Sequence, residues 1–110
     1  MSITVNLYYT GKNGNSLKFV EEMKSSGTVA AIKNEPGNEK YDYFQSLDDP
    51  ETVLLIDSWK NQQAIDAHHA SPMMDTITRL RNKYDLHMKV ERYHSDDEGI
   101  PQQDEAFIRK

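Results

Sequence analysis

Cysteine is absent from this chain of 110 residues. That removes disulfides, thiolate nucleophiles and cysteine metal ligands together, and it fits a reducing, cytoplasmic setting. Long apolar runs are missing too: none approaches the roughly 20 residues that a membrane span needs. The N-terminus, Met1-Ser2-Ile3-Thr4-Val5-Asn6, has no basic stretch followed by a long apolar one, so no signal peptide is expected. No cluster of lysine and arginine occurs, and the net charge is −5. Neither nucleic acid nor an anionic membrane is therefore an expected partner. The segment from His94 to Lys110 holds five acidic and two basic residues, so it supplies −3 of that charge. There is no GxGxxG and no P-loop, hence no support for a nucleotide cofactor. There is no GxSxG nucleophile elbow. HExxH spacing is absent as well, and the adjacent His68 and His69 would point about 100° apart on a helix, which suits no single metal ion. No metal and no cofactor is expected.

What remains is a chain of one-domain length that can bury only a thin core. Its apolar share is 36%, below the usual globular share, which favours covering one face with a second copy. Ile3 to Tyr9 alternates, with Ile3, Val5, Leu7 and Tyr9 on one face and Thr4, Asn6 and Tyr8 on the other, as a strand does. After a loop at Thr10–Asn15, Asn15 or Ser16 can cap a helix that starts near Leu17. Ser25-Ser26-Gly27 kinks or breaks it, and Glu35-Pro36-Gly37 ends it. Asn38–Ser46 and Thr52–Trp59 read as strands joined through Asp48-Asp49-Pro50. Asn61 caps a short helix through His69, and Ser71-Pro72 opens another with the stripe Met73, Ile77, Leu80 and Tyr84. Leu86–Tyr93 is the last strand.

The order β-α-β-β-α-α-β is that of an α+β, ferredoxin-like fold: one antiparallel sheet with helices on one face. Residues 1–94 form this domain, and 95–110 form an acidic extension. Within the extension Ala106-Phe107-Ile108 can add an edge strand to the same or a neighbouring chain.

Few side chains carry chemistry. His68 lies one turn after Ala64 and Ile65, so it faces the sheet. It is either a proton donor and acceptor or a histidine that ends a short helix. Asp57 shares a strand face with Val53, Leu55 and Trp59. Burial there would raise its pKa and make it a usable acid or base; a plain strand-end ion pair is the alternative. Asn6 can hold a substrate oxygen or an enolate-like charge if it reaches a cleft, and otherwise sits on the exposed face. Tyr8, Tyr41, Tyr43 and Tyr93 lie on strands, where they line a ligand pocket or a subunit interface.

Glu35-Pro36-Gly37, Tyr41-x-Tyr43, Asp49-Pro50, Asp57-x-Trp59 and Ala67-His68-x-x-Ser71-Pro72, in that order, resemble the antibiotic biosynthesis monooxygenase (ABM) domain family over about Ile3–Tyr93. The resemblance implies a ferredoxin-like domain, a homodimer joined through the sheet, and no cofactor. It further implies oxidation of a small aromatic or quinol-type ligand with molecular oxygen. His68 matches the family's histidine on the helix after the third strand, and Asp57 stands where many members carry glutamate. Met73 replaces a second histidine found in many members. Asn6 matches the strand-1 asparagine of the heme-degrading branch, but no histidine lies between Met73 and Tyr84, so heme degradation is not expected. A phosphorylated-sugar isomerase of the same fold would want basic residues at the pocket, and only Lys60, Arg79 and Arg81 are near. The implied roles are proton transfer for His68 with Asp57, oxyanion support from Asn6 and a tyrosine, substrate binding by Tyr41 and Tyr43, and an apolar wall of Trp59, Leu7 and Met73. The alternative is a non-catalytic dimeric domain that binds a small ligand.

Overall fold

The computed structural model describes all 110 residues. Four strands form one antiparallel sheet in the order β2-β3-β1-β4: β1 Ile3–Thr10, β2 Asn38–Gln45, β3 Thr52–Trp59 and β4 His87–His94. The alternation in β1 fixes its faces. Leu7, Tyr9 and Ile3 are buried toward the helices, as are Val53, Leu55 and Trp59 from β3. Tyr41 of β2 joins them, and Phe19, Met23, Ile32, Ile65, Ile77 and Leu80 from the helices close the core. Apolar burial on a single sheet face is what a two-layer α+β domain requires.

The predicted first helix is two. α1 spans Asn15–Ser25 and α2 spans Thr28–Lys33, with Gly27 between them at φ 79°. A left-handed residue cannot continue a helix, and glycine adopts it without steric cost. The start of α1 also differs from expectation. Gly14 is the N-cap, and its amide donates to the Glu51 carboxylate at 3.0 Å. The expected caps are occupied elsewhere: Asn15 donates to the Tyr84 carbonyl at 3.2 Å and Ser16 to the Glu51 carbonyl at 2.7 Å.

The second half follows the sequence pattern closely. Asn61 caps α3 (Gln62–His69) by accepting from the Ala64 amide at 2.9 Å. α4 (Met73–Lys83) begins after Pro72 and buries Ile77 and Leu80. The far sheet face carries no helix. It presents Tyr8, Leu54, Ile56, Phe44 and Tyr93, interleaved with the cross-strand pairs Thr4–Ser58 and Thr10–Thr52. Phe44 and Tyr93 are 47% and 50% exposed.

The C-terminal segment is tied on at its root, where Ser2 and Ser95 exchange two hydrogen bonds of 2.9 Å. The edge strand expected at Ala106-Phe107-Ile108 does not form within the chain. Gln102–Phe107 is a 3-10 turn after Pro101, with Phe107 exposed. No helix is long and apolar enough to cross a membrane.

Candidate functional site

α3 and α4 leave part of the sheet uncovered toward β4. A cleft of about 300 Å³ opens there, floored by Val5, Leu7, Leu55 and Trp59 and flanked by Ile65, Met74 and Ile77. Met88, Val90 and Arg92 of β4 share the floor because they pair with Tyr9, Leu7 and Val5 and so lie on the helix side. Its size and mostly apolar lining suit a small organic ligand.

Polar groups converge in this apolar setting. His68, near the end of α3, is buried and lies against the Trp59 indole, with centroids 4.7 Å apart and planes at 29°. Its Nδ1 is 2.6 Å from Oε2 of Glu35, a side chain from the turn after α2. A carboxylate only accepts, so this contact keeps the proton on Nδ1. Nε2 makes no hydrogen bond within the chain, which leaves it for a ligand in the cleft. Burial lowers the pKa of His68, and the Glu35 charge opposes that shift. The imidazole is thus biased toward its neutral, proton-accepting form.

Asp57 lines the same cleft, inward-facing on the central strand β3. Burial pushes its pKa up to about 7; the hydrogen bond from Trp59 Nε1 to Oδ1, 2.5 Å long, and the Arg81 charge act against that rise. Asp57 and His68 do not bond to each other. Each has its own partner, and Trp59 touches both: its ring packs on His68 while its N–H binds Asp57. No group of three or more His, Asp and Glu side chains is placed to hold a metal ion.

This constellation bears on the comparisons with known proteins. The antibiotic biosynthesis monooxygenase pattern matches residues 2–79, which include the whole of α3 and the Glu35 turn. The chain belongs to that family. No curated protein matches it. A Nitrosomonas europaea protein provisionally named an antibiotic biosynthesis monooxygenase superposes with a TM-score of 0.76 at 22% identity, over 86% of this chain and 90% of that one. A conserved protein from Methanosarcina mazei gives 0.75 at 23% identity, over 87% and 94%. SnoaB of Streptomyces nogalater, a cofactor-independent oxygenase solved in a mutant form, gives 0.68 at 13% identity, over 86% and 93%. At these identities the likeness speaks to the fold.

Against the ABM expectations, His68, Asp57, Trp59, Tyr41 and Leu7 all reach the cleft. Three candidates do not. Asn6 lies on the opposite sheet face, because Val5 and Leu7 on either side of it point to the helices and strand side chains alternate. Its Oδ1 is buried without a partner. Tyr43 sits behind Tyr41, edge-on to both Tyr41 and Phe19, with its hydroxyl buried and unpartnered. Met73 packs on the core, and the next residue of α4, Met74, turns about 100° toward the cleft instead.

Glu35, Arg81 and Arg92 are the residues that sequence reasoning missed or undervalued. Glu35 looked like turn punctuation, yet Gly37 accepts from the Lys60 amide at 2.8 Å and so pins that turn beside α3. Arg81 lies on the stripe side of α4, one residue after buried Leu80 and four after Ile77. That spacing is the signal that could have found it.

Proposed function

We propose that this ABM protein is a cofactor-independent monooxygenase that oxidises a small phenolic or quinol-type substrate with O2. The single observation that carries the reading is that His68 and Asp57, each polarised by its own partner, border one largely apolar cleft. His68 Nε2 takes the phenol proton, and Glu35 holds the imidazole and stabilises the imidazolium that forms. The resulting phenolate is electron-rich enough to pass one electron to O2. The radical pair recombines at an unsubstituted ring carbon ortho or para to oxygen, and the imidazolium returns its proton to give a hydroperoxide. His68, neutral again, takes the C–H proton from that carbon as the O–O bond breaks, which leaves a carbonyl there and releases water. Substrate and O2 thus balance as quinone and water. Asp57, with a pKa near neutrality, can protonate the departing oxygen. The apolar floor keeps water away from the anion and strengthens these interactions.

The bare sheet face supports a homodimer. Tyr8, Leu54, Ile56, Phe44 and Tyr93 share that face with Asp42, Lys89 and Glu91, no helix covers it, and a second copy offers an identical surface.

Oxygen uptake and product analysis with a panel of quinols and naphthols test the reaction. Wild-type protein is expected to consume O2 and to form a quinone that carries one oxygen atom more than the substrate. His68→Ala is expected to lose at least about 100-fold in rate. No oxygen-dependent product from any compound, or full activity in His68→Ala, would overturn the reading.

A further inference from the structure

The chain is acidic overall, yet its cleft is not. Arg81 and Arg92 both line it, whereas Asp57 is the one carboxylate that does. Arg81 is half-buried and makes no ion pair. Its Nε and Nη2 donate to the Tyr9 hydroxyl at 3.2 and 2.7 Å. A guanidinium has five N–H groups, so three remain: two on Nη1 and one on Nη2. The bonds to Tyr9 fix the plane of the fork and leave its terminal edge free. That edge is the one that accepts a carboxylate through two parallel hydrogen bonds. A half-buried cation without a direct ion pair carries a desolvation cost that an arriving anion offsets. Arg92 stands at the rim, where its Nη2 donates to Gln62 at 2.5 Å and spans the mouth from β4 to α3.

We propose that the cleft selects an aromatic substrate that carries a carboxylate, with Arg81 as its binding partner and the ring against Trp59. This deepens the phenol-oxidation reading and names its substrate class: a hydroxylated aromatic acid. His68 then meets the hydroxyl end and Arg81 the acid end. Arg92 adds a second positive charge at the entrance, where it favours entry of an anion. Asp57 does not defeat this arrangement, since burial raises its pKa to about 7 and so thins its negative charge at neutral pH.

Binding can be measured without turnover. The chain has one tryptophan, and Trp59 is in the cleft wall, so its fluorescence reports occupancy of this site. Calorimetry and fluorescence titration under argon would use three probes: 4-hydroxybenzoate, its neutral isostere 4-hydroxybenzamide, and phenyl phosphate. The expected result is that the acid binds at least about 10-fold tighter than the amide and weakens with added salt. Arg81→Gln is expected to cut the acid's affinity by about 10-fold or more and to affect the amide far less. Arg81→Lys is expected to fall between, because an ammonium cannot reproduce the bidentate fork. Equal affinity of wild-type protein for acid and amide overturns the proposal, and this comparison stands even if the Arg81 variants fail to fold. So does an equal loss for both ligands in Arg81→Gln. Binding of phenyl phosphate without binding of the acid assigns the site to phosphate and overturns the carboxylate. Because O2 is excluded, failure here is distinct from failure of the oxidation reading, which is scored with neutral quinols in air.

Discussion

The imidazole of His68 stacks on the indole of Trp59, with centroids 4.7 Å apart and planes at 29°. This stack connects the two titratable groups of the cleft. Trp59 is buried and fixed by its N–H bond to Asp57, and its face in turn sets the plane of the histidine. Glu35 then sets the rotation of that plane through Nδ1. A side chain with two independent constraints has little freedom left, and the proton transfer proposed for His68 needs that fixed geometry.

Glu35→Gln tests the carboxylate as a positioning residue. Glutamine can still accept from Nδ1–H, but it has no charge to favour the imidazolium. The Glu35 charge raises the pKa of His68, so its removal lowers that pKa further. His68 must be neutral to accept a proton. The acid limb of the kcat/KM profile is therefore expected to move to lower pH, with the plateau reduced by about 10- to 100-fold. Glu35→Asp keeps the charge and should restore the limb in part. A limb that stays in place in Glu35→Gln would show that the carboxylate has no electrostatic part in the reaction.

The sequence made some of this legible and hid the rest, for physical reasons. Alternation in β1 and β3 fixed which side chains face the helices, and so placed Asp57, Trp59 and Leu7. The Asn61 cap and the spacing after it placed His68. The same alternation already turned Asn6 away from the cleft, and parity outweighs family analogy there. Glu35 was hidden because its partner lies 33 positions on; no local pattern encodes a pairing between a turn and a helix. The cap of α1 was hidden in the same way, since the carboxylate that binds the Gly14 amide comes from Glu51. Arg92 reached the cleft only through the register of β4 on β1, which depends on strand pairing rather than on composition.

Gly37 is expected to be intolerant of a side chain. It has φ +85°, and a Cβ there would come within 2.6 Å of the Ala64 Cβ on α3. Both the left-handed backbone and the clash oppose alanine. Gly37→Ala should lower the urea midpoint by the equivalent of about 2 kcal/mol or more. It should also disturb Glu35 two residues away, so residual activity should fall beyond what the lost stability explains at low temperature. Unchanged stability would mean that the turn and α3 are not packed as described.

Ile56→Lys tests the proposed sheet-face dimer. Ile56 lies centrally on the helix-free face, between Asp42 of β2 and Asn6 of β1. Light scattering is expected to give the mass of two 12.7 kDa chains for the parent protein and of one for the variant. Two lysines brought face to face in a self-paired surface would lose solvation, and their like charges would oppose the pairing. Circular dichroism checks that the variant keeps its fold. A variant that remains a dimer, or a parent that is monomeric at tens of micromolar, would remove the second copy from the picture.

Asp57→Asn separates the charge of this residue from its hydrogen bond. The asparagine Oδ1 can still accept from Trp59 Nε1, but it cannot ionise. In the folded parent Asp57 holds its proton up to about pH 7, whereas the unfolded chain releases it near pH 4. Between those values the native state binds more protons than the unfolded one, so stability falls as pH rises through that window. The loss is complete above about pH 7, where a difference of this size amounts to on the order of 4 kcal/mol. His68 works in the opposite sense. Burial lowers its pKa, so it costs stability as pH falls below about 6.5. Both proteins keep His68, and its contribution cancels in their difference to first order. Asp57→Asn should therefore be more stable than the parent at pH 8, and the gap should close toward pH 4. Urea midpoints at pH 4.5, 6 and 8 measure it. A gap that does not change with pH would show that the carboxyl ionises as freely in the folded protein as in the unfolded chain. In that case Asp57 could not serve as the near-neutral acid in the cleft.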